Sequence, residues 1–419
     1  MQLQLLPERP CLPVNMATRL AVLVRLVAPT VPQMARKPLN LCLVIDRSGS
    51  MAGRKLRQTI ASAKYVVERL APTDLFSVVQ FDERVKVVIP PRPVADRAQL
   101  CRLLDTVREG GATNLSGGWL QGAACVRKSR TPETVNRVIL LTDGIANHGI
   151  VDPVVLVHHA AELTEEGIAT TTLGYGADFN EDLLTALADA GRGTAYHVET
   201  ADEAPAVFAR ELEGLLTIAA QNVRLTICPG RAGCAAHLLT DQDHQQNPEG
   251  LTVALGDLVS AEERRLLLSA HVPALGSEGL ALLAAVTLTY DSVGGEIRPR
   301  EVRQELLIRA VSPEQAITVP ADPAVTRELL MLRAARILRQ AMAEADAGDT
   351  SGALQCLREF LACPNVRQTS DPEVRAARQR VKEVLHQLEQ EGYTPMSRKQ
   401  MSYSSYRWSR SKGRPSEEA

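Results

Sequence analysis

The chain has 419 residues, of which 45% are hydrophobic and only 3% aromatic, and its formal net charge is −2. This length predicts two or three domains of roughly 150 residues each, with cores packed mainly by Leu, Val and Ala. The small net charge argues against the general electrostatic footprint of a nucleic-acid-binding protein. No stretch approaches about 18 uninterrupted apolar residues, and the first residues do not resemble a signal peptide, so we expect no membrane span.

Eight cysteines are scattered along the chain, and none belongs to a Cys-x-x-Cys pair. Cys42 falls inside the first predicted core strand, where it serves as a small apolar residue. This pattern suits a reducing compartment better than a secreted disulfide framework. We therefore expect a cytoplasmic protein.

The N-terminal segment, residues 1–37, shows no clear period in its first 15 residues. Residues 19–27 are rich in Val and Leu and are predicted to form a strand. Three prolines follow within eleven residues and predict a stiff connector.

Residues 38–220 alternate short apolar runs with helical patterns. The first apolar run, 41–45, has the length of a strand, and a helical pattern over 55–70 follows it after a turn. Strands joined by helices of this length need crossover connections, which are typical of parallel sheets. We therefore predict a doubly wound, mostly parallel, Rossmann-like α/β domain.

The pattern changes over residues 221–318, where short alternating runs are separated by Gly, Pro and Asp. Long helical patterns are absent here, which predicts an antiparallel sheet or a small β-sandwich. We expect the strand at 19–27 to join this sheet, which would make the α/β domain an insertion between them. The alternative is that this strand lies on an edge of the α/β sheet.

The last part of the chain has helical periodicity. Residues 323–392 contain three helical patterns with Gly-Asp and Pro breaks, which predict a helical hairpin or bundle. Residues 393–419 are basic and Ser-rich with interspersed aromatics, and we expect a disordered tail. The alternative is that this basic and aromatic segment binds single-stranded nucleic acid.

The apolar run at 41–45 ends in Asp46-Arg47-Ser48-Gly49-Ser50. A strand that ends in an Asp and continues as a helix presents oxygens at the carboxyl edge of the sheet, where open α/β sheets bind ligands. A carboxylate and two hydroxyls at this spacing suit a hard divalent cation. The same residue types also make ordinary turns and helix caps, and this alternative stays open for the motif alone.

Two later stretches complete the pattern: the Gly-rich loop 110–114, which holds Thr113, and a second apolar strand that ends in Asp143-Gly144. Together with the first motif they resemble the metal-ion-dependent adhesion site of the von Willebrand factor type A domain family. The resemblance covers roughly residues 38–220, and all five ligand positions of that site are present: Asp46, Ser48, Ser50, Thr113 and Asp143.

The resemblance implies a Mg²⁺ ion, with Mn²⁺ or Ca²⁺ as alternatives, bound directly by the three hydroxyls. In the family the two aspartates commonly act through bound water. Such an ion is short of negative charge and keeps one position open, which an Asp or Glu side chain of a partner can fill. Three residues beside the ligands are predicted to form a partner-binding rim: Arg47, Asn114 and His148.

Two of these rim residues have other interpretations. Arg47 sits between ligand positions, so it would either favour an acidic partner or pair with a nearby carboxylate such as Asp82. His148 follows Asp143 closely and should border the site, and otherwise it is a solvated loop residue.

The predicted function is metal-dependent binding of a protein that presents an acidic residue. Intracellular members of the family work with AAA+ ATPases, and the resemblance extends that partner class to this chain. One alternative is a hydrolase that uses the same metal, although the chain has no Gly-x-x-x-x-Gly-Lys-Ser/Thr or Gly-x-Ser-x-Gly motif. A haloacid-dehalogenase-type site would need an Asp where Ser48 stands. The other alternative is a scaffold that binds through its C-terminal helices. We expect no enzymatic activity.

Overall fold

A computed structural model describes residues 1–30, 36–131, 133–145, 147–176, 178–231, 233–293 and 298–410, and the backbone of 414–415. The chain divides into two compact units. One is Pro32–Ile218, and the other combines Met1–Val31 with Ala219–Ala419. Among the described residues, no helix is long and apolar enough to cross a membrane.

Three strands open the chain: β1 (Gln2–Pro7), β2 (Cys11–Pro13) and β3 (Thr18–Val27). The first 15 residues show no clear period in the sequence, yet they contain β1, which pairs along its whole length with β3. Leu3 and Leu5 do alternate with glutamines, but six residues are a short basis for detecting a period of two.

The Pro32–Ile218 unit follows as an α/β domain. Its elements are β4 (Leu39–Asp46), α1 (Arg54–Arg69), β5 (Leu75–Phe81), β6 (Val85–Pro93), α2 (Arg97–Leu104), α3 (Leu115–Lys128), β7 (Val135–Thr142), α4 (Pro153–Glu165), β8 (Ile168–Tyr175), α5 (Glu181–Ala190), β9 (Arg192–Val198) and α6 (Ala204–Leu216), with single 3₁₀ turns at Gly49–Met51 and Ala201–Glu203. They form one sheet in the order β6-β5-β4-β7-β8-β9, parallel except for β6 at one edge. The predicted doubly wound, mostly parallel α/β fold is confirmed.

The central strand β4 is buried at all eight positions. A parallel strand covered by helices on both faces needs apolar side chains on both, which explains the nearly continuous run of Leu, Cys, Val and Ile. Its neighbours β5 and β7 run parallel to it in close register, with Ile45 opposite Leu141. The carboxyl ends of these strands therefore share one edge of the sheet.

The remaining strands are β10 (Ile218–Pro229), β11 (Ala235–Leu238), β12 (His244–Asn247), β13 (Gly250–Val259), β14 (Glu262–Val272), β15 (Gly279–Ser292) and β16 (Arg298–Val311). Together with β1, β2 and β3, these strands form two largely antiparallel sheets, in the orders β1-β3-β14-β11 and β12-β13-β10-β15-β16-β2. One hydrophobic core takes side chains from both sheets, such as Val24, Leu225 and Leu288. Strand β3 pairs with β14 over ten residues, so the strand at 19–27 joins this β part of the chain.

The helices of the last part are α7 (Pro313–Thr318), α8 (Pro323–Asp346), α9 (Thr350–Ala362), α10 (Pro364–Arg367), α11 (Pro372–Glu391) and α12 (Pro395–Arg410), followed by a two-residue strand β17 (Arg414–Pro415). Helices α8, α9, α11 and α12 share a core that includes Leu338, Phe360 and Met401. A second cluster joins Leu23 and Leu267 of the sheet to Val325 and Leu332 of α8.

The predicted disordered tail from residue 393 is wrong for residues 395–410, which form helix α12. Four serines of this helix are buried, and two of them show how this is tolerated. The hydroxyl of Ser405 donates to the carbonyl of Ser402, and that of Ser409 donates to the carbonyl of Tyr406. A serine that satisfies its hydroxyl within its own helix can be buried, which a Ser-rich composition does not reveal. Residues 411–413 and 416–419 lie outside the described part of the chain.

Candidate metal site

Asp46 ends β4 and points its carboxylate at the neighbouring strand end. The carboxylate is fully buried, and it accepts hydrogen bonds from the Thr142 hydroxyl at 2.5 Å and from the Ser48 amide at 2.8 Å. Burial raises the pKa of Asp46 to about 6, whereas the hydrogen bonds from Ser48 and Thr142 oppose this rise. The nearby charge of Asp143 adds a smaller increase to the pKa of Asp46.

A run of oxygen atoms connects Asp46 to Asp143. The Ser48 amide donates to Asp46, and the Ser48 hydroxyl lies 3.2 Å from the Ser50 hydroxyl. The Ser50 hydroxyl in turn donates to Asp143 Oδ1 at 2.7 Å. Asp143 follows β7 directly and is also fully buried. Four of the five predicted ligand positions thus form one hydrogen-bonded cluster at the carboxyl edge of the sheet.

The Thr113 loop is attached to the same edge by backbone hydrogen bonds. Gly49 donates to the carbonyl of Gly111 at 3.0 Å, and Gly110 donates to the carbonyl of Arg47 at 2.7 Å. Thr113 is buried, and a methyl group added to Gly144 would lie 3.1 Å from its Oγ1. The structure therefore brings Thr113 beside the end of β7, next to the other four positions.

The sequence profile described as "von Willebrand factor type A domain" matches residues 40–210, the stretch that contains all five positions. Residues 40–210 form a von Willebrand factor type A domain. Such domains are commonly protein-interaction modules and typically bind a divalent metal at this site.

Similarity also extends beyond the type A domain. An uncharacterized protein from Synechocystis is 29% identical over 336 residues, which cover 77% of this chain and 78% of that protein. The structure described as "von Willebrand factor type A from Catenulispora acidiphila" has a TM-score of 0.75 at 18% identity and covers 96% of both chains. The ArnB paralog VWA2 from Sulfolobus acidocaldarius has a TM-score of 0.63 at 17% identity and covers 98% of both. At these identities, the two structures show that the fold is shared over the parts of the chain that they cover.

Lys55, on the first turn of α1, is a member of the site that the sequence motif did not reveal. Its ammonium nitrogen lies 2.5 Å from Asp143 Oδ2, and its side chain is 30% exposed. Thr142 and Asn147 were also missed: Thr142 binds Asp46, and the Asn147 side chain accepts from the amide of Thr113 at 3.1 Å. In the sequence, Thr142 is distinguished only by its hydroxyl and its position next to Asp143. That position predicts the last residue of a strand and does not indicate a contact with Asp46.

The three predicted rim residues have different environments in the type A domain. Arg47 forms an ion pair with the buried Asp82 and donates to the carbonyl of Arg108 at 3.2 Å. Asn114 caps α3, since its side chain accepts from the amide of Gly117 at 3.0 Å. His148 is exposed. Of the two interpretations of Arg47, the structure therefore shows the pairing with Asp82.

Proposed function

We propose that the type A domain binds a divalent cation, foremost Mg²⁺, and captures a protein partner through it. The observation that best supports this is the cluster of hydroxyls between two buried carboxylates at the edge of the sheet. The proposed ligands are the five predicted side chains: Asp46, Ser48, Ser50, Thr113 and Asp143.

The donor set fits a hard cation. All five side chains offer oxygen atoms, which are the ligands that Mg²⁺, Mn²⁺ and Ca²⁺ prefer. Two buried carboxylates carry two negative charges when ionised, and Lys55 offsets one of them. The remaining negative charge favours a cation at this position, because an uncompensated buried charge is costly.

The proposed mode of capture follows from the neutral ligands. The cation supplies an electrophilic position that attracts a carboxylate from the partner. Ser48, Ser50 and Thr113 would hold the ion without neutralising it, while the hydrogen bonds from Ser48 and Thr142 orient the carboxylate of Asp46. The partner is therefore a protein that presents an Asp or Glu side chain.

Titration calorimetry with MgCl₂ tests the site directly, on the wild-type chain and on Thr113→Ala. Thr106→Ala is the matched control, because it removes a hydroxyl that donates to the carbonyl of Leu103 in the turn after α2. We expect Thr113→Ala to weaken Mg²⁺ binding at least tenfold and Thr106→Ala to leave it unchanged. Equal affinities for all three proteins, or no Mg²⁺ binding by the wild type, would contradict the proposed site.

Partner capture needs a second experiment. A pull-down with immobilised wild type, in Mg²⁺ and in excess chelator, is read by mass spectrometry. Proteins retained only in Mg²⁺ and lost with Thr113→Ala are the expected partners. Capture that persists in chelator and disappears when residues 323–419 are deleted would instead support the scaffold alternative.

The wider assignments belong to the same proposal. A binding role predicts no turnover of generic phosphate or ester substrates, and turnover that is lost in Asp46→Asn would support the hydrolase alternative. An AAA+ ATPase as partner rests on the family resemblance. The cytoplasmic location rests on the scattered cysteines, which suit a reducing compartment.

A further inference from the structure

Two cysteines of the type A domain meet at the buried contact between β4 and α3. Cys42 of β4 is fully buried, and Cys125 of α3 is 5% exposed. A hydrogen bond joins the two thiols. Packing alone would require only small apolar side chains at these positions, whereas two thiols in contact can also react with each other.

The contacts of the neighbouring residues place the two cysteines opposite each other. Asn40 and Cys42 are two residues apart in β4 and therefore share a face of the strand. Asn40 Nδ2 donates to the carbonyl of Val126 at 2.9 Å. A methyl group added to Gly122 would lie 3.4 Å from Cys42 Sγ. Cys125 lies three residues after Gly122, on the same face of α3. This register of β4 on α3 supports the pairing independently of the hydrogen bond between the thiols.

The two thiols differ in how readily they ionise. The hydrogen bond that Cys125 accepts from the Cys42 thiol lowers the pKa of Cys125, and the charge of Lys128 also lowers it, whereas burial opposes both. Burial raises the pKa of Cys42. The thiolate therefore forms on Cys125, while Cys42 keeps its proton. A thiol with a lowered pKa is the one that reacts with oxidants.

We propose that Cys42 and Cys125 form a redox-sensitive pair, which a peroxide converts into a disulfide between β4 and α3. Cys125 is the residue that the oxidant attacks, and Cys42 is the residue that resolves the product. In a reducing compartment such a bond is transient, because cellular thiols reduce it again. The pair lies within the type A domain, and its oxidation does not depend on the proposed metal.

The reaction needs only the two thiols and one hydrogen peroxide molecule. The Cys125 thiolate attacks a peroxide oxygen, the O–O bond breaks, and hydroxide leaves while a sulfenic acid forms on Cys125. The Cys42 sulfur then attacks the sulfenic sulfur, the S–S bond forms, and the departing hydroxyl takes the Cys42 proton and leaves as water. The proton that Cys125 lost on ionisation converts the hydroxide into a second water. The two sulfurs lose two electrons, which reduce the peroxide.

Peptide mapping of the full chain tests the pair. Reduced protein is desalted, treated with a small molar excess of hydrogen peroxide in chelator, blocked with N-ethylmaleimide in denaturant and digested with trypsin. Cys42 then falls in the peptide 37–47, Cys125 in 109–127 and Cys101 in 98–102. Cys101 of α2 is the third cysteine of the Pro32–Ile218 unit and serves as the internal control.

We expect one linked species of peptides 37–47 and 109–127, lighter than their sum by two hydrogen atoms. Cys101 should keep its maleimide label, and dithiothreitol should restore both thiols of the pair. Retention of both thiols would overturn the proposal. A mixture of pairings that includes Cys101, as expected for a chain oxidised in urea, would also overturn it.

Three variants assign the separate roles. Cys42→Ala should stop at a sulfenic acid on Cys125, which dimedone traps. Cys125→Ala should lower the rate at which peroxide modifies Cys42 by roughly tenfold or more, because Cys42 lacks the lowered pKa. Cys101→Ala should form the disulfide as the wild type does. Oxidation of Cys42 at the wild-type rate in Cys125→Ala would overturn the assigned order, and the wild-type peptide map decides the pairing even if a variant does not fold.

Unfolding measures whether the native packing accommodates the bond. A disulfide from 42 to 125 closes a long loop, so the oxidised chain should unfold at a higher urea concentration than the reduced chain. Cys42→Ala treated with the same peroxide should show no such increase. An unchanged or lower urea midpoint for the oxidised wild type would show that the bond forms only by distorting the native contact, and would overturn a pair built into the fold.

Discussion

The ammonium group of Lys55 lies 2.5 Å from Asp143 Oδ2, so a cationic side chain contacts one of the proposed metal-binding carboxylates. The pair joins the first turn of α1 to the end of β7, and the carboxylate is fully buried. A bound divalent cation and this ammonium would compete for the same negative charge. Lys55 would therefore act against the proposed metal binding while it stabilises the metal-free domain.

Lys55→Met tests this competition. Removing a unit positive charge near the site should strengthen Mg²⁺ binding by roughly tenfold. Charges about 4 Å apart interact by about 4 kcal/mol at an effective dielectric of 20. The gain is smaller than this because, in the wild type, the lysine side chain can move away from the ion and reduce the repulsion. The metal-free protein should become less stable, since Asp143 keeps a buried charge without its partner. Calorimetry and urea unfolding in chelator measure the two effects.

Lys64→Met is the control for this change. Lys64 also lies on α1, its side chain is 32% exposed, and it pairs with the exposed Asp105 at 2.6 Å. Surface pairs of this kind contribute about 0–1 kcal/mol. Weaker Mg²⁺ binding by Lys55→Met, or an equal gain in Lys64→Met, would show that Lys55 does not compete with the ion.

Gly122 on α3 allows that helix to approach the central strand. A methyl group added at this position would lie 2.3 Å from Val44 Cγ2. Gly122→Ala should therefore destabilise the protein by about 1–3 kcal/mol, as overpacking of a close-packed core does. It should also weaken Mg²⁺ binding, because α3 begins just after Thr113. Gly276→Ala is the control, with no atom within 4 Å of the added methyl group, and its urea midpoint should stay close to that of the wild type.

The fold of the α/β domain was predictable because its local and global signals agree. The β4 sequence is apolar throughout, as a strand buried on both faces requires, and its end coincides with the Asp46 motif. The spacing of the Thr113 loop and of Asp143 then placed both at the same edge. Three separate stretches of sequence indicated one candidate site, which is why it could be proposed without coordinates.

Other features depend on contacts that a linear pattern does not contain. Lys55 resembles any lysine on the first turn of a helix, and its role arises because that turn lies next to the end of β7. Helix α12 was missed since its buried serines look like those of a disordered segment.

The ionisation of Tyr175 predicts how stability changes at high pH. Burial raises the pKa of this phenol to about 12, with a smaller contribution from the charge of Asp143, and its oxygen lies 3.0 Å from Thr59 Oγ1. In the unfolded chain the pKa is about 10, so the folded state keeps the proton over a range in which the unfolded state loses it. Stability must therefore fall as the pH rises from about 10 to 12. Tyr175→Phe lacks this group, so the stability of the wild type relative to the variant should fall by roughly 3 kcal/mol across that range. A constant difference in urea unfolding free energy would contradict the raised pKa.

Arg265 joins the β-sheet to the C-terminal helices through a buried ion-pair network. Its guanidinium contacts Glu263 at 2.6 Å, Glu328 of α8 at 2.8 Å and Glu373 of α11 at 2.9 Å, and its side chain is 2% exposed. Arg25 of β3 also binds Glu263, at 2.8 Å, so the network reaches the N-terminal strand. Loss of Arg265 would leave two nearly fully buried carboxylates, of Glu263 and Glu328, without this cation.

Arg265→Met should therefore lower the free energy of unfolding by roughly 3–5 kcal/mol, as the removal of one partner from a buried pair does. Arg303→Met is the matched control, because Arg303 is 77% exposed in its pair with Glu301 and exposed pairs contribute about 0–1 kcal/mol. Urea unfolding of both variants, followed by circular dichroism, measures the difference. Because the network lies in the unit that excludes Pro32–Ile218, Mg²⁺ binding should be retained in Arg265→Met at low urea. Equal stability of the two variants would show that packing between Leu23, Leu267 and Val325, and not the buried charges, holds the helices to the sheet.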